Sequence, residues 1–519
     1  MKRWATYFFA AALFGTLLFH AVCNQTGGGS GTGSGSGGST SGGSSPGGSS
    51  SACTLSGAGT GPSGNNPSDF PNAAGINFAA FPVDPGNCTG THTFYVATTG
   101  SDGNPGTASQ PFRSILHALE SAAGGDAVIV SNGTYSESDT LTLDKPNLRL
   151  CAAGGESVTV TPASSSIHYG LIVAADGVLI DGIHTTGFLS SITLSGNSGA
   201  LVSNIILKNL TVTAGGTDFK DGITAPAGPV NNLLIKNVLV KNATLGISCN
   251  NGPCKNWRLD GVSVCNDAND VGGSGGDAIA IEAQDADPST NILISNAEVT
   301  GASADGIDVK GTHIAVFNAN VHDNLRNGVK FWRGGDLVNS FVVGHGADAE
   351  IVFDQAGTYR IVNSLIAYQN VNTDGTLRAD SYTMTVCYDH PSDACPVSII
   401  NSVFFNNAGS IFLTPGTTAT IQNNLLGNSL NDIIIEKNGT SIQETDSVST
   451  LSSIATASEN LAFTTNPGYA NAGGRDFTFG AASPLKNAGT VPASFPSYDF
   501  RGNSRNQGGT PDLGPLELF

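Results

Sequence analysis

Charge is scarce in this chain. Only 12% of its 519 residues are Asp, Glu, Lys or Arg, and 41 acidic residues outnumber 22 basic ones, giving a formal net charge of −19. Phosphate binding needs clustered Lys and Arg, so this balance argues against nucleic acid as a partner. It does not exclude an acidic substrate, because one local cation or a bound metal can reverse the field. Long apolar runs are also lacking. The run from Trp4 to Phe19 is too short to span a bilayer comfortably. Few histidines lie near the cysteines, which makes a zinc site a poor fit, and no phosphate loop, dinucleotide fingerprint or nucleophile elbow stands in the context it would need. What is plentiful is Gly, 68 residues of it, together with Ser, Thr and Asn. That composition predicts an extracellular β protein.

The N-terminus predicts export. Lys2 and Arg3 precede the apolar run, as in a signal peptide covering residues 1–22. His20-Ala21-Val22-Cys23 then resembles a bacterial lipoprotein processing site, which implies lipidation of Cys23 and a membrane contact through that anchor alone. Residues 23–52 are almost all Gly, Ser and Thr and read as a flexible tether. An extension follows over 53–90, and the main domain occupies 91–519. The expected location is the outer membrane or cell surface, otherwise the secreted fraction. Setting Cys23 aside leaves eight of the nine cysteines, an even number suited to disulfides outside the cytoplasm. Close spacing suggests Cys249 with Cys254 and Cys387 with Cys395, which leaves Cys53 with Cys88 and Cys151 with Cys265 among many possible connectivities.

A short pattern recurs: Asn, two variable residues, then an aliphatic or aromatic. It reads NLTV at Asn209, NVLV at Asn237, NAEV at Asn296, NANV at Asn318, NSFV at Asn339, NSLI at Asn363, NSVF at Asn401 and NNLL at Asn423. GVSV at Gly261 fills the same slot without the Asn. From Asn296 onward the spacings are 22, 21, 24, 38 and 22 residues. A period near 22 with short β runs predicts a solenoid, a right-handed parallel β-helix of all-β class, whose coils stack about 4.8 Å apart. Stacked Asn side chains would bond to one another and to turn backbone.

Residues 93–135, TFYVATTGSDGNPGTASQPFRSILHALESAAGGDAVIVSNGTY, resemble the opening segment of bacterial pectate-lyase-like β-helices. The tail DFRGNSRNQGGTPDLGPLEL resembles their closing segment. The resemblance implies an N-terminal capping helix, with Phe112, Ile115, Leu116 and Leu119 on one face, plugging the open end of the core.

Aligned, the strands before the Asn motifs read DGITAP from Asp221, LGISCN, DAIAIE, DGIDVK, NGVKFW and AEIVFD from Ala349. Side chains alternate across a strand. One outward column is therefore Thr224, Ser248, Ala280, Asp308, Lys330 and Val352. Its neighbour is Pro226, Asn250, Glu282, Lys310, Trp332 and Asp354. Asp277 and Asp305 begin their strands, and Arg333 ends its own. The simplest account is an ion-pair ladder, Lys330 on Asp308 and Lys310 on Glu282, at roughly 0.2–1 kcal/mol per pair. The functional account is a carbohydrate site on an extracellular polysaccharide, with Trp332 and Glu282 contacting sugar.

Three chemistries fit such a site. The arrangement resembles family 9 polysaccharide lyases, which implies calcium (Ca2+) held by Asp277, Asp305 and Asp308. In β-elimination from a uronic acid polymer, Lys330 would be the base, Lys310 its reserve and Arg333 the substrate clamp. Ala304 stands where that family would place a further aspartate. SADGIDVKG also resembles part of the polygalacturonases, family 28 glycoside hydrolases. That family carries paired aspartates one coil later, where this chain has Asn327-Gly328-Val329-Lys330; for an inverting hydrolase, Asp308 with Glu282, on adjacent coils, would instead have to span the roughly 6.5–9.5 Å such a pair requires. GHG at Gly344–Gly346 is reminiscent of another motif of theirs but reads here as a turn. The third possibility is a glycan-binding or adhesive surface lipoprotein without catalysis, using the same cluster with Tyr382, Tyr388 and His390. His322-Asp323 reads as a turn, and Asp267, Asp270, Asp285 and Asp287 as loop residues.

Overall fold

The computed structural model describes residues 75–196, 199–216, 220–266, 276–282, 287–346, 349–368, 382–427, 429–430, 432–491, 496–505 and 509–518. The segments expected to be signal and tether, with Cys23, Cys53, Asp267, Asp270 and Asp285, lie outside them.

The short apolar runs pair with their equivalents one period later, always in parallel, and build a right-handed β-helix. Among the described residues, one wall is a sheet of 13 strands and the other two walls join into a sheet of 23. The 13-stranded wall carries the predicted columns. Its strands include β1 (Ile279–Ile281), β2 (Ile307–Val309), β3 (Val329–Phe331), β4 (Ile351–Phe353), β5 (Met384–Val386) and β6 (Ile411–Leu413). Ile279, Ile307, Val329, Ile351, Met384 and Ile411 stack in register down the interior. Each is essentially buried, worth about 1.5–3 kcal/mol apiece. Phe331, Phe353 and Tyr359 continue the core as a ring stack, with centroids 5.8 and 4.4 Å apart. Gly306 and Gly328 begin their strands because the chain passes very close there. A Cβ on Gly306 would lie 2.7 Å from Gly328 O, and one on Gly328 2.7 Å from Glu350 O.

The Asn motif marks a corner. Asn209, Asn237, Asn296, Asn318, Asn339, Asn363, Asn401 and Asn423 all adopt left-handed backbone, with φ between 50 and 56°, a conformation Asn tolerates better than other side chains with a Cβ. Their amides form a ladder: Asn237 donates to Asn209 (3.2 Å) and Asn318 to Asn296 (3.2 Å). Where Gly261 interrupts the motif, Asp260 takes over as acceptor for Asn296 at 2.9 Å. A second ladder, Asn204, Asn232, Asn256 and Asn291, runs along another corner. It was not part of the sequence expectation.

Helix α1 (Ile115–Ser121) packs Ile115, Ala118 and Leu119 against the first coils. Ser114 caps it by accepting the His117 N–H, and the Glu137 carboxylate accepts the N–H groups of Ile115 and Leu116. Both terminal segments run back along the outside of the coils. The N-terminal one starts where Asn77 exchanges hydrogen bonds with Asn291, continues through an Asp84–Lys208 salt bridge at 2.6 Å, and ends at a Cys88–Cys151 disulfide. That path corrects two of the expected pairings. Cys88 joins Cys151, so neither Cys53–Cys88 nor Cys151–Cys265 forms. The returning segment lays Cys88 beside Cys151 on an outer apolar patch with Leu179, Ile206 and Leu234. Cys265 is disulfide-bonded elsewhere. Cys249–Cys254 and Cys387–Cys395 form as expected. The C-terminal segment covers Leu365, Val403 and Leu425 with Phe477, Leu485 and Leu513. Its Arg505 is buried on Asn339, and the Asn401 amide donates to Thr490 O at 2.7 Å.

Candidate functional site

β1 to β4 set the rungs. Ala280, Asp308, Lys330 and Val352 are successive Cα partners. Backbone bonds from Lys310 N to Ile281 O, Trp332 N to Val309 O and Asp354 N to Phe331 O carry the register into the next column. Glu282, Lys310, Trp332 and Asp354 therefore stack beside it. One outer face holds the whole predicted cluster.

The ion pairs differ from a simple rung-by-rung ladder. Lys310 is gripped by both Glu282 oxygens, at 2.6 and 2.7 Å, and also lies 3.5 Å from Asp308. Burial works to lower its pKa, but the Asp308 and Glu282 carboxylates outweigh this and raise it. Lys330 is in register with Asp308, yet it holds no salt bridge among the described residues. Its ammonium sits 5.0 Å from the centre of the Trp332 ring, and Lys310 sits 5.1 Å from the same ring. The Trp332 indole N–H donates to Asp308 at 3.0 Å, folding the ring across the rung. Trp332 is thus half-buried and locked, with cations against its π-face. Arg333, at the end of the strand, donates from Nε to Gln355 at 3.0 Å.

The three aspartates converge. Carboxylate oxygens of Asp277, Asp305 and Asp308 lie within 4.8 Å of one another. Two of them also serve the backbone. Asp277 accepts the Asp305 N–H at 2.9 Å, and Asp305 accepts both the N–H and the amide of Asn327, at 3.1 and 2.8 Å. Each of these contacts uses Oδ1, which leaves Oδ2 of both residues available. Burial, then the neighbouring Asp305 and Asp308, pushes Asp277 up to about 7. Burial likewise pushes Asp308 up to about 6, against the pull of Lys310 and Lys330. Three converging carboxylates are a donor set that suits a hard divalent cation, which would also relieve the burial and crowding that raise Asp277 and Asp308. The residues fit calcium, with the remaining oxygens to come from water or substrate.

Other predicted residues fall outside the cluster. Asp287 is exposed and paired with Lys255 at 2.6 Å. His322 lies on another wall, between Asp323 and Glu298, while Asp323 also binds Arg475. His345 of the GHG turn is fully buried against Glu350 and cannot reach a polymer. Asp354 and His390, 3.6 Å apart, extend the face one rung beyond Trp332. Gln355 and Asn327, which position Arg333 and Asp305, were not expected. A sequence signal existed for Asn327, which begins the aligned strand NGVKFW, whereas Gln355 lies one residue past the end of AEIVFD.

Residues 98–143 match the family described as "Protein of unknown function (DUF1565)". A 43-residue stretch is 51% identical to "Uncharacterized protein YwoF" of Bacillus subtilis (strain 168), covering 8% of this chain and 9% of that relative. Among solved structures, pectate lyase Pel9A is similar over 87% of this chain and 99% of its own, at 16% identity and a TM-score of 0.40. The alginate lyase from Paenibacillus sp. str. FPU-7 is similar over 67% of this chain and 99% of its own, at 16% identity and a TM-score of 0.34. The GH136 lacto-N-biosidase from Eubacterium ramulus is similar over 64% of each chain, at 10% identity and a TM-score of 0.32. The architecture described above rests on the strand register of this chain itself.

Proposed function

We propose that the protein is an exported polysaccharide lyase that cleaves a uronic-acid polymer by calcium-assisted β-elimination. The observation that carries this reading is the division of labour between the two lysines. Lys310 is fixed and kept protonated by Glu282 and Asp308. Lys330 stands one rung on from Asp308, at the Trp332 ring, and among the described residues it holds no salt bridge.

Asp277, Asp305 and Asp308 would hold the metal, and calcium there would neutralise the substrate carboxylate and so acidify the adjacent C–H. The chain's own groups would do the rest. Lys330 Nζ takes the proton α to the carboxylate, the electron pair closes a carbon–carbon double bond, and the glycosidic oxygen leaves and is protonated from solvent. Arg333 at the strand end orients the polymer, and the Lys310–Glu282 pair sets the edge of the site. An inverting hydrolase is disfavoured. Lys310 bridges Asp308 and Glu282 and fills the gap where the attacking water would have to sit. The non-catalytic reading keeps one supporting observation: Lys310 with Glu282 and Asp308 also explains itself as a partly buried ion-pair network.

The experiment is digestion of polygalacturonate and alginate, followed by the ultraviolet absorbance of the new conjugated double bond, with calcium or with chelator. Chelator-sensitive absorbance that is lost in Lys330→Ala is expected. New reducing ends without absorbance would replace the lyase reading with hydrolysis. Retention of polymer without either product would replace it with binding.

A further inference from the structure

The outer face that carries the cluster is small and neutral in one direction and aromatic in the other. Toward the N-terminal coils, the column continues through Ala280, Ser248 and Thr224, which are only 3%, 1% and 1% exposed. Toward the C-terminal coils the column passes Val352 and Thr385 and reaches Phe412, three rungs beyond Lys330. At about 4.8 Å per rung, that is about 14 Å, a span several sugar rings long.

Phe412 alternates with the inward Ile411 and Leu413, so its ring faces outward. Two tyrosines converge on it. Tyr382 lies 5.0 Å and Tyr388 5.3 Å from its ring centre, and the tyrosines are 5.7 Å from each other. Tyr388 is 51% exposed, which the core does not explain. The turn that presents it is fixed at both ends by the buried Cys387–Cys395 disulfide and tied to the site by His390 against Asp354. Asp393 in the same turn accepts the Ala356 N–H at 2.9 Å. A rigid aromatic platform therefore follows the charged cluster on one continuous strip, with Asp354 and His390 between them.

We propose that Tyr382, Tyr388 and Phe412 form a distal sugar-stacking subsite for the same acidic polysaccharide chain that occupies the lysine–aspartate cluster. The inference rests on the polysaccharide reading above and adds a direction: the bound chain extends from Lys330 toward the C-terminal coils. Ring stacking there grips the apolar faces of pyranoses whose charged groups are read at the cluster. Long chains gain from the platform, while chains too short to span it do not.

The test uses wild type, Tyr388→Ala, Tyr388→Phe and Lys330→Ala with uronate oligomers of increasing length, reading elimination kinetics and, separately, retention in polygalacturonate- and alginate-containing gels. Tyr388→Ala is expected to raise KM about tenfold on long oligomers, the size of one good ring contact. It leaves the shortest cleaved oligomer unchanged, and Tyr388→Phe restores the long-chain value. An unchanged length dependence in Tyr388→Ala, with elimination intact, overturns the subsite and leaves the lyase reading standing. Retention without elimination, weakened by Tyr388→Ala, supports the platform and removes the lyase. Neither retention nor elimination on any uronate polymer overturns both.

Discussion

Replacing Glu350 with Gln should flatten a fall in stability that the wild-type protein shows between pH 6.5 and 8. Glu350 and His345 are both fully buried, and their side chains lie 3.3 Å apart. At that distance the pair could be an ion pair, but the surrounding bonds favour two neutral groups. His345 Nδ1 accepts the Asn324 N–H at 3.3 Å, and Nε2 lies 3.1 Å from Val321 O, a carbonyl that can only accept. The imidazole is therefore the Nε2–H tautomer, and no second ring proton has a place. Burial pushes His345 down to about 3 and Glu350 up to about 8. Arg475 and Asp323 act on Glu350 with opposite signs.

The signs decide the pH window. A carboxyl raised from 4.5 to about 8 makes the folded state hold a proton the unfolded state has lost, so stability falls as pH rises between those values. The depressed histidine contributes stability that is complete above its ordinary value of 6.5 and is lost as pH falls toward 3. Between pH 6.5 and 8 only Glu350 of the pair acts, and about 1.4 kcal/mol per pH unit gives a loss of about 2 kcal/mol across that window. Asp277 and Glu517, each pushed by burial to about 7, titrate in the same range. They do so equally in wild type and variant and cancel from the difference. Urea unfolding at the two pH values, followed by tryptophan fluorescence from the buried Trp257, reads the effect. An equal loss in Glu350→Gln would mean that the carboxylate is already ionised at pH 6.5 and paired with a charged imidazole, which refutes the neutral assignment. The pair also matters to the site, because Val329, at the start of β3, donates to Glu350 O at 2.9 Å, and His345 packs against Gly328.

Lys330→Ala should lower elimination about 10²–10⁴-fold, the size of a general-base effect, whereas Lys310→Met should retain most turnover; steady-state rates on polygalacturonate or alginate compare them. Asp305→Asn should keep the melting temperature measured in chelator, because an amide oxygen can still accept from Asn327, while calcium affinity falls at least about tenfold in a calorimetric titration. Asn318→Ala should destabilise by about 2–4 kcal/mol, since it empties one rung of the corner ladder and puts a Cβ residue at φ 52° without a side-chain bond. Asn318→Gly should recover the backbone part of that loss in the same unfolding assay.

The fold was legible because its signals repeat. Eight asparagines in register at one corner are imposed by backbone geometry that recurs along the coils. A single misread coil cannot hide them. The outward columns were legible for the same reason: the alternation that turns Ile307 and Val309 into the core turns Asp308 and Lys310 away from it, although the neighbouring side chains then leave Asp308 only 5% exposed. Contacts between elements far apart in sequence were not legible. The return of residues 75–91 along the outer wall brings Cys88 to Cys151, and no spacing rule contains that path. Partner choice within the cluster was only half readable. Register put Lys330 on Asp308, but the indole of Trp332 takes one Asp308 oxygen and Lys310 approaches the other, so Lys330 is left over the ring. That outcome depends on side-chain reach across a diagonal, which alternation does not specify. On the proposed lyase reading it is also what leaves a base, because a ladder that satisfied every cation would have no such group to spare.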